Sequence, residues 1–168
     1  MAGKVLVRLT GRRCTVRRDR RIGTVGQPSL EELYKLIKHF EGCVLEAYQD
    51  SGGVWTIGYG STGWDVYPGL TWTQEQADER MEQDARRFAK MAIQLSPRLN
   101  DHSAIAISDF LYNLGIGNYK ASTLRRKINA GDMQGAAKEI MRWVHCRGKV
   151  LPGLVKRRAA ERQLLLGE

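Results

Sequence analysis

Apolar residues return every three or four positions in SLEELYKLIKHFEG, at Leu30, Leu33, Ile37 and Phe40, which predicts an amphipathic helix with one buried stripe. Ser29 stands where an N-cap belongs, Glu32 follows as its capping-box partner, and Gly42 ends the pattern. The period then changes. VLEAYQD and VWTIGYG flank SGG, so a β-hairpin with a loop of about three residues is expected. In the second strand, alternation puts Trp55, Ile57 and Tyr59 on one face and Thr56, Gly58 and Gly60 on the other. Glycines inside a strand weaken it. Either something approaches the backbone there, an open hydroxyl-bearing face being suited to a sugar ring, or they mark a bulge or bend.

Beyond the hairpin the helical period dominates. Thr73 and Gln76 cap TQEQADERMEQDARRFAKMAIQL, which ends before Ser96-Pro97. Asn100 or Asp101 begins HSAIAISDFLYNLG, Ser122 caps STLRRKINAG, Asp132 begins MQGAAKEIMRWV, and Pro152 sits in the first turn of PGLVKRRAAERQLLLG. Gly131, Gly148 and Gly167 fall near helix ends. The pattern is α+β and mostly helical, and 168 residues suit one domain large enough to bury a proper core.

Charge alters the picture at the N-terminus. Residues 1–26 hold Lys4 and seven arginines against Asp19, a net +7 of the chain's +9. Residues 1–28 therefore read as a basic arm with a Gly/Pro linker, and residues 29–168 as the folded domain. The arm either binds an anionic surface, such as lipopolysaccharide, membrane or nucleic acid, or is a solvated tail. Its longest unbroken apolar run, Val5 to Val7, is too short for a signal peptide. Cys14, Cys43 and Cys146 have no metal-ligand spacing and read as free thiols, with Cys43 beside Glu41 leaving a redox gate conceivable. His39, His102 and His145 likewise lack metal spacing, so neither metal nor cofactor is expected.

Glu41 and Asp50 supply the chemistry. Glycosidic cleavage needs one carboxyl that holds a proton for the leaving oxygen and a second group that stays ionised. Glu41 follows apolar Phe40 at a helix C-terminus, where the negative end of the dipole disfavours its charge, so it is the expected acid. Asp50 leads into SGG, where turn amides donate to it and water reaches it, so it is expected to stay ionised. Asn113, with Gly115 and Gly117, either lines the far wall of a cleft or belongs to a helix-ending loop.

FEGCVLEAYQDSGGVWTIGYGST resembles the catalytic signature of phage-type lysozymes, glycoside hydrolase family 24, and the likeness runs on through YPGLTWTQEQAD, FLYNLGIGNYKASTLRRKINAGD and WVHCRGKVLPGLVKRRAAERQLL. It spans about residues 30–166. The resemblance implies Glu41, Asp50 and Thr56 as the catalytic set; Tyr59, Gly58, Gly60 and Asn113 are the candidate substrate contacts. It also implies a two-lobed fold, with a small β-hairpin lobe and a helical lobe flanking a substrate cleft and QADERMEQDARRFAKMAIQL as the joint. The implied activity is an endolysin's hydrolysis of the β-1,4 bond between N-acetylmuramic acid and N-acetylglucosamine in bacterial peptidoglycan, causing host lysis. Arg157 or Arg158 then either pairs near Glu41, as in the family, or lies on a solvated basic face. Where some relatives begin with a signal-anchor, this chain begins with an arginine-rich arm, so synthesis in the host cytoplasm and release through a holin are expected. A monomer is expected.

Two other classes account for part of the pattern. A lytic transglycosylase would cleave the same bond with Glu41 alone, which leaves Asp50 and Thr56 without a role. A basic nucleic-acid-binding module is permitted by the charge, but it leaves the hairpin unexplained.

Overall fold

The computed structural model describes residues 29–50 and 52–167. The basic arm, its linker and Cys14 lie outside the described residues.

Helix α1 (Leu30–Glu41) begins at Ser29, whose side chain accepts from Glu32 N, and stops at Gly42, which takes φ 66°. Its apolar stripe buries Leu33 and Ile37 completely. Strands β1 (Val44–Gln49), β2 (Trp55–Gly58) and β3 (Ser61–Thr62) follow as an antiparallel sheet in chain order. The β1–β2 connection covers positions 50–54, and Asp50 N donates to Val54 O at 2.9 Å, so the closing pair encloses a loop of three positions, as expected. β3 is an element the sequence pattern did not reveal. Gly58 at φ 63° and Gly60 at φ 87° turn the chain sharply between β2 and β3, which ends the alternation at Gly58. Ala47, Ile57 and Val66 form a small core under this sheet, with Trp55, Leu70 and Trp72 packed against it.

Helix α2 (Gln74–Leu95) carries the expected Thr73–Gln76 capping box. Its 22 residues span about 33 Å at the usual helical rise. Ala77, Met81 and Ala85 pack with Leu33 and Ile37 of α1, whereas Ala92 joins the core of the helical lobe. α2 thus joins the two lobes, with its apolar face changing partner along its length.

The helical lobe comprises α3 (Asp101–Ala121), α4 (Thr123–Ala130), α5 (Met133–Ile140) and α6 (Pro152–Leu166). α3 is interrupted at Gly115, whose φ of 79° breaks the ladder before the helix resumes, so the expected end of HSAIAISDFLYNLG is a kink. α5 stops at Ile140, short of the expected Val144. A second small hairpin, β4 (His145–Cys146) and β5 (Lys149–Val150), occupies the stretch between the helix expected to end at Val144 and the one beginning at Pro152. Gly148 serves that turn at φ 77° and not a helix end, while Gly131 and Gly167 are left-handed C-caps as expected. Phe110, Leu111, Tyr119, Leu124, Ile128 and Ile140 are fully buried at the lobe's centre.

Candidate active site

Glu41 is the last residue of α1, and elements of both lobes meet around its carboxylate. From the sheet lobe, Gly60 comes so close that a Cβ there would lie 3.7 Å from Glu41 Oε2. From α6, Arg157 Nη1 donates to Glu41 Oε1 at 2.5 Å. Arg157 is itself 3% exposed and grips Asp109 of α3 with two further bonds, Nε to Oδ2 and Nη2 to Oδ1, both 2.8 Å. Burial works against the Arg157 charge, but the forked bond to Asp109 and the nearby Glu41 outweigh it and hold the guanidinium ionised more firmly than usual. Arg157 and Arg158 were open between an ion pair and a solvated basic face; both are buried, so the solvated reading is excluded.

Arg158, fully buried, donates Nη2 to Asn113 Oδ1 at 3.1 Å and to Glu161 Oε1 at 2.7 Å, and its guanidinium lies 5.0 Å from the Phe110 ring centroid. The part-buried Asn113 thus has its amide oxygen held by Arg158. Tyr112 of α3 ties the lobes together by donating its hydroxyl to Tyr59 O at 2.9 Å.

Asp50 and Thr56 are organised by one residue between them. Val54 N donates to Asp50 Oδ1 at 2.9 Å, and Val54 O accepts from Thr56 Oγ1 at 3.0 Å. Gly52 N donates to the same Asp50 oxygen at 2.7 Å. The amides of Val54 and Gly52 hold the Asp50 carboxyl below its usual range, and Arg147, at the β4–β5 turn, adds a weaker pull in the same direction. Asp50 is exposed, Thr56 is buried at 5% exposure, and Glu41 is half-buried. The two carboxyls thus sit in contrasted settings: one enclosed among ions, the other solvated and held by turn amides.

Two sequence expectations need correction. The close neighbour of Gly58 is the Trp72 ring, which a Cβ would meet at 3.0 Å, so the glycine serves core packing and the face is filled at that position. Tyr59, expected to contact substrate, is only 6% exposed, because the turn at Gly58 swings its ring into the core between α1 and α2. Its hydroxyl donates to Asp78 at 2.9 Å and accepts from Gln74 at 3.1 Å. Gly60 stays beside Glu41 and also lines a pocket of about 250 Å³, together with Ser61, Thr62, Arg80, Asp84 and Tyr112.

Sequence reasoning missed Asp109 and Glu161. A lone aspartate inside the apolar run AIAISDFLYNL was a signal for the first. The RRAAE spacing, which brings Glu161 within one turn of both arginines, was a signal for the second. Cys43 is half-buried and Cys146 exposed, both as free thiols. His39, His102 and His145 are exposed. Among the described residues, no group of three or more His, Cys, Asp or Glu is placed to hold a metal ion, and no helix is long and apolar enough to cross a membrane.

A sheet lobe and a helical lobe meeting at a helix-terminal glutamate are the layout of a lysozyme-class glycosidase. Comparison with known proteins gives the same class. The profile of the phage lysozyme family matches residues 38–161. A SAR-endolysin of Bacteriophage PS119 is 38% identical over 130 residues, covering 75% of this chain and 76% of that protein. An endolysin of Acyrthosiphon pisum secondary endosymbiont phage 1 is 40% identical over 134 residues, covering 77% of this chain and 91% of its own length. Among solved structures, the muramidase domain of SpmX from Asticaccaulis excentricus aligns with a TM-score of 0.73 at 32% identity, over 80% of this chain and 95% of that one. The chain belongs to the phage lysozyme family.

Proposed function

We propose that this glycoside hydrolase is an endolysin that cleaves the β-1,4 bond between N-acetylmuramic acid and N-acetylglucosamine in peptidoglycan, by water and with inversion. The observation that carries the reading is the contrast between Glu41, enclosed against Arg157, and Asp50, solvated and stabilised by the Val54 and Gly52 amides. Glu41 donates its proton to the leaving glycosidic oxygen, and Arg157 then stabilises the carboxylate left behind. The Thr56 hydroxyl proton is already committed to Val54 O, so toward a water Thr56 can only accept. One water hydrogen goes to Thr56 Oγ1 and the other to Asp50, which leaves the water lone pair for the anomeric carbon. As the C–O bond to the leaving group breaks and the new one forms, Asp50 takes the water proton. An inverting site of this kind holds its two carboxyls about 6.5 to 9.5 Å apart.

In this reading Gly60 lets the glycan approach Glu41, because a side chain at that position would occupy the space beside Oε2. The arm, at +7, serves as an anionic-surface contact at the cell envelope, and the enzyme acts on the wall as a monomer after release through a holin pore.

The test is the Glu41→Gln variant acting on purified peptidoglycan, with mass spectrometry of the released sugar ends. The unmodified protein should yield reducing N-acetylmuramic acid, and Glu41→Gln should yield essentially nothing while folding normally. Near-normal lysis by the variant removes Glu41 as acid, and anhydro sugar ends from the unmodified protein mean a transglycosylase.

A further inference from the structure

Thr56, which accepts from the attacking water in the proposed function, lies in register between Tyr48 of β1 and Thr62 of β3. Side chains directly opposite one another on antiparallel strands share a face, so Tyr48, Thr56 and Thr62 form a row across the sheet, about 10 Å from end to end at the usual strand spacing. Their chain neighbours Ala47 and Ile57 point the other way, into the small core with Val66. The row therefore lies on the face turned away from that core.

Within the row, Thr56 is buried while Tyr48 is 42% exposed. The residues packed against the small core are Trp55, Leu70 and Trp72, and Tyr48 is not one of them. Its hydroxyl makes no hydrogen bond among the described residues. A large aromatic side chain thus stands half-open beside Thr56, two positions before Asp50, with little to do for the fold.

We infer that Tyr48 is a substrate-binding residue: its ring packs against the N-acetylmuramic acid unit whose anomeric carbon receives the water. The inference rests on the water site of the proposed function. A water held by Asp50 and Thr56 attacks only a carbon about 3 to 3.5 Å away. The sugar that owns this carbon must then border the residue in register with Thr56, whose Cβ is about 5 Å from that of Thr56. The C–H bonds of a pyranose carry slight positive charge and pack well on the negative face of an aromatic ring. Such a contact is made before and during bond cleavage alike, so its loss raises KM and spares kcat.

The test compares Tyr48→Ala and Tyr48→Phe with the unmodified protein by kinetics on purified peptidoglycan and by thermal unfolding. Binding of a tetrasaccharide of alternating N-acetylglucosamine and N-acetylmuramic acid is followed by NMR in the Glu41→Gln background, where the ligand is not consumed. Tyr48→Ala should raise both KM and the tetrasaccharide dissociation constant about tenfold, with kcat within about twofold and the melting temperature nearly unchanged. Tyr48→Phe keeps the ring and should retain most of the affinity. The Tyr48 ring signals should shift as the tetrasaccharide is added. Unchanged KM and unchanged binding in Tyr48→Ala overturn the inference. A fall in kcat at constant KM also overturns it, because Tyr48 would then act on the water and not on the sugar. A lowered melting temperature with normal binding means a structural role and overturns it as well. Failure of the muramidase reading is distinct, since it would appear as lysis by Glu41→Gln.

Discussion

Arg157 joins Glu41, 116 residues away in the chain, while its other two nitrogens hold Asp109, so a single guanidinium fixes the end of α1 against α3 and α6. Removing it would leave Asp109 buried without its forked partner. Arg157→Gln should cost about 3 to 5 kcal/mol of stability, and lysis should fall steeply even where the variant remains folded. Arg157→Lys keeps the charge but cannot reproduce three directed bonds, so it should recover part of the stability and little of the activity. Urea unfolding beside a lysis assay at a temperature where both variants are folded checks this. Equal stability of the three proteins would contradict it.

Tyr59 predicts alkaline behaviour. Burial first, and then the bond to Asp78, push its hydroxyl up to about 12. Burial does the same for Tyr119, also to about 12. In the unfolded chain these groups ionise near pH 10, so between about pH 10 and 12 the unfolded state has released protons that the folded state keeps. The contribution of these two tyrosines should therefore be constant below about pH 10 and be lost through that window. Tyr59→Phe should lower stability at neutral pH but make the alkaline decline shallower, as read by thermal unfolding across pH 8 to 12.

Much of this fold was legible because its signals are local. The Ser29 and Thr73 caps, Pro152 at the start of α6, and the turn chemistry around Asp50 follow from neighbouring residues. Glu41 and Asp50 could be singled out by the same means, one at a helix end and one at a turn. The departures around the site depend on distant partners. Tyr59 left the expected face because Gly58 takes a left-handed φ and Asp78 of α2 captures the hydroxyl. Gly58 looked like room for a ligand, but its space is taken by Trp72, a residue fourteen positions on that no strand periodicity reveals. The charged cluster behind Glu41 draws on α1, α3 and α6, and only the packing of those helices turns a basic stretch of α6 into a buried network.

The arm gives a prediction separate from the site. Deleting residues 1–28 removes a net +7 and leaves Ser29 to cap α1. Lysis of bare peptidoglycan should be retained within a few-fold. Binding to anionic lipid vesicles or lipopolysaccharide should drop sharply, and added salt should reproduce that loss in the full chain. A shortened chain that cannot fold would place the arm inside the folded domain and contradict the proposed boundary.

Thr56 separates water placement from acid catalysis. Thr56→Val keeps the shape but removes both the acceptor offered to water and the donor to Val54 O. Stability should fall by about 1 kcal/mol. kcat should drop by about ten- to a hundredfold, with KM nearly unchanged, because only the attack is impaired. A rise in KM at constant kcat would make Thr56 a binding contact instead.

The most direct measurement is proton NMR of the anomeric signals of the newly formed N-acetylmuramic acid end, recorded within the first moments of cleavage, before the anomers equilibrate. Direct attack by a water held between Asp50 and Thr56 predicts that the α anomer appears first from the β-linked strand and the β anomer grows in later. A β anomer appearing first would mean that Asp50 attacks the sugar itself, and would contradict the mechanism argued from the Val54, Asp50 and Thr56 geometry.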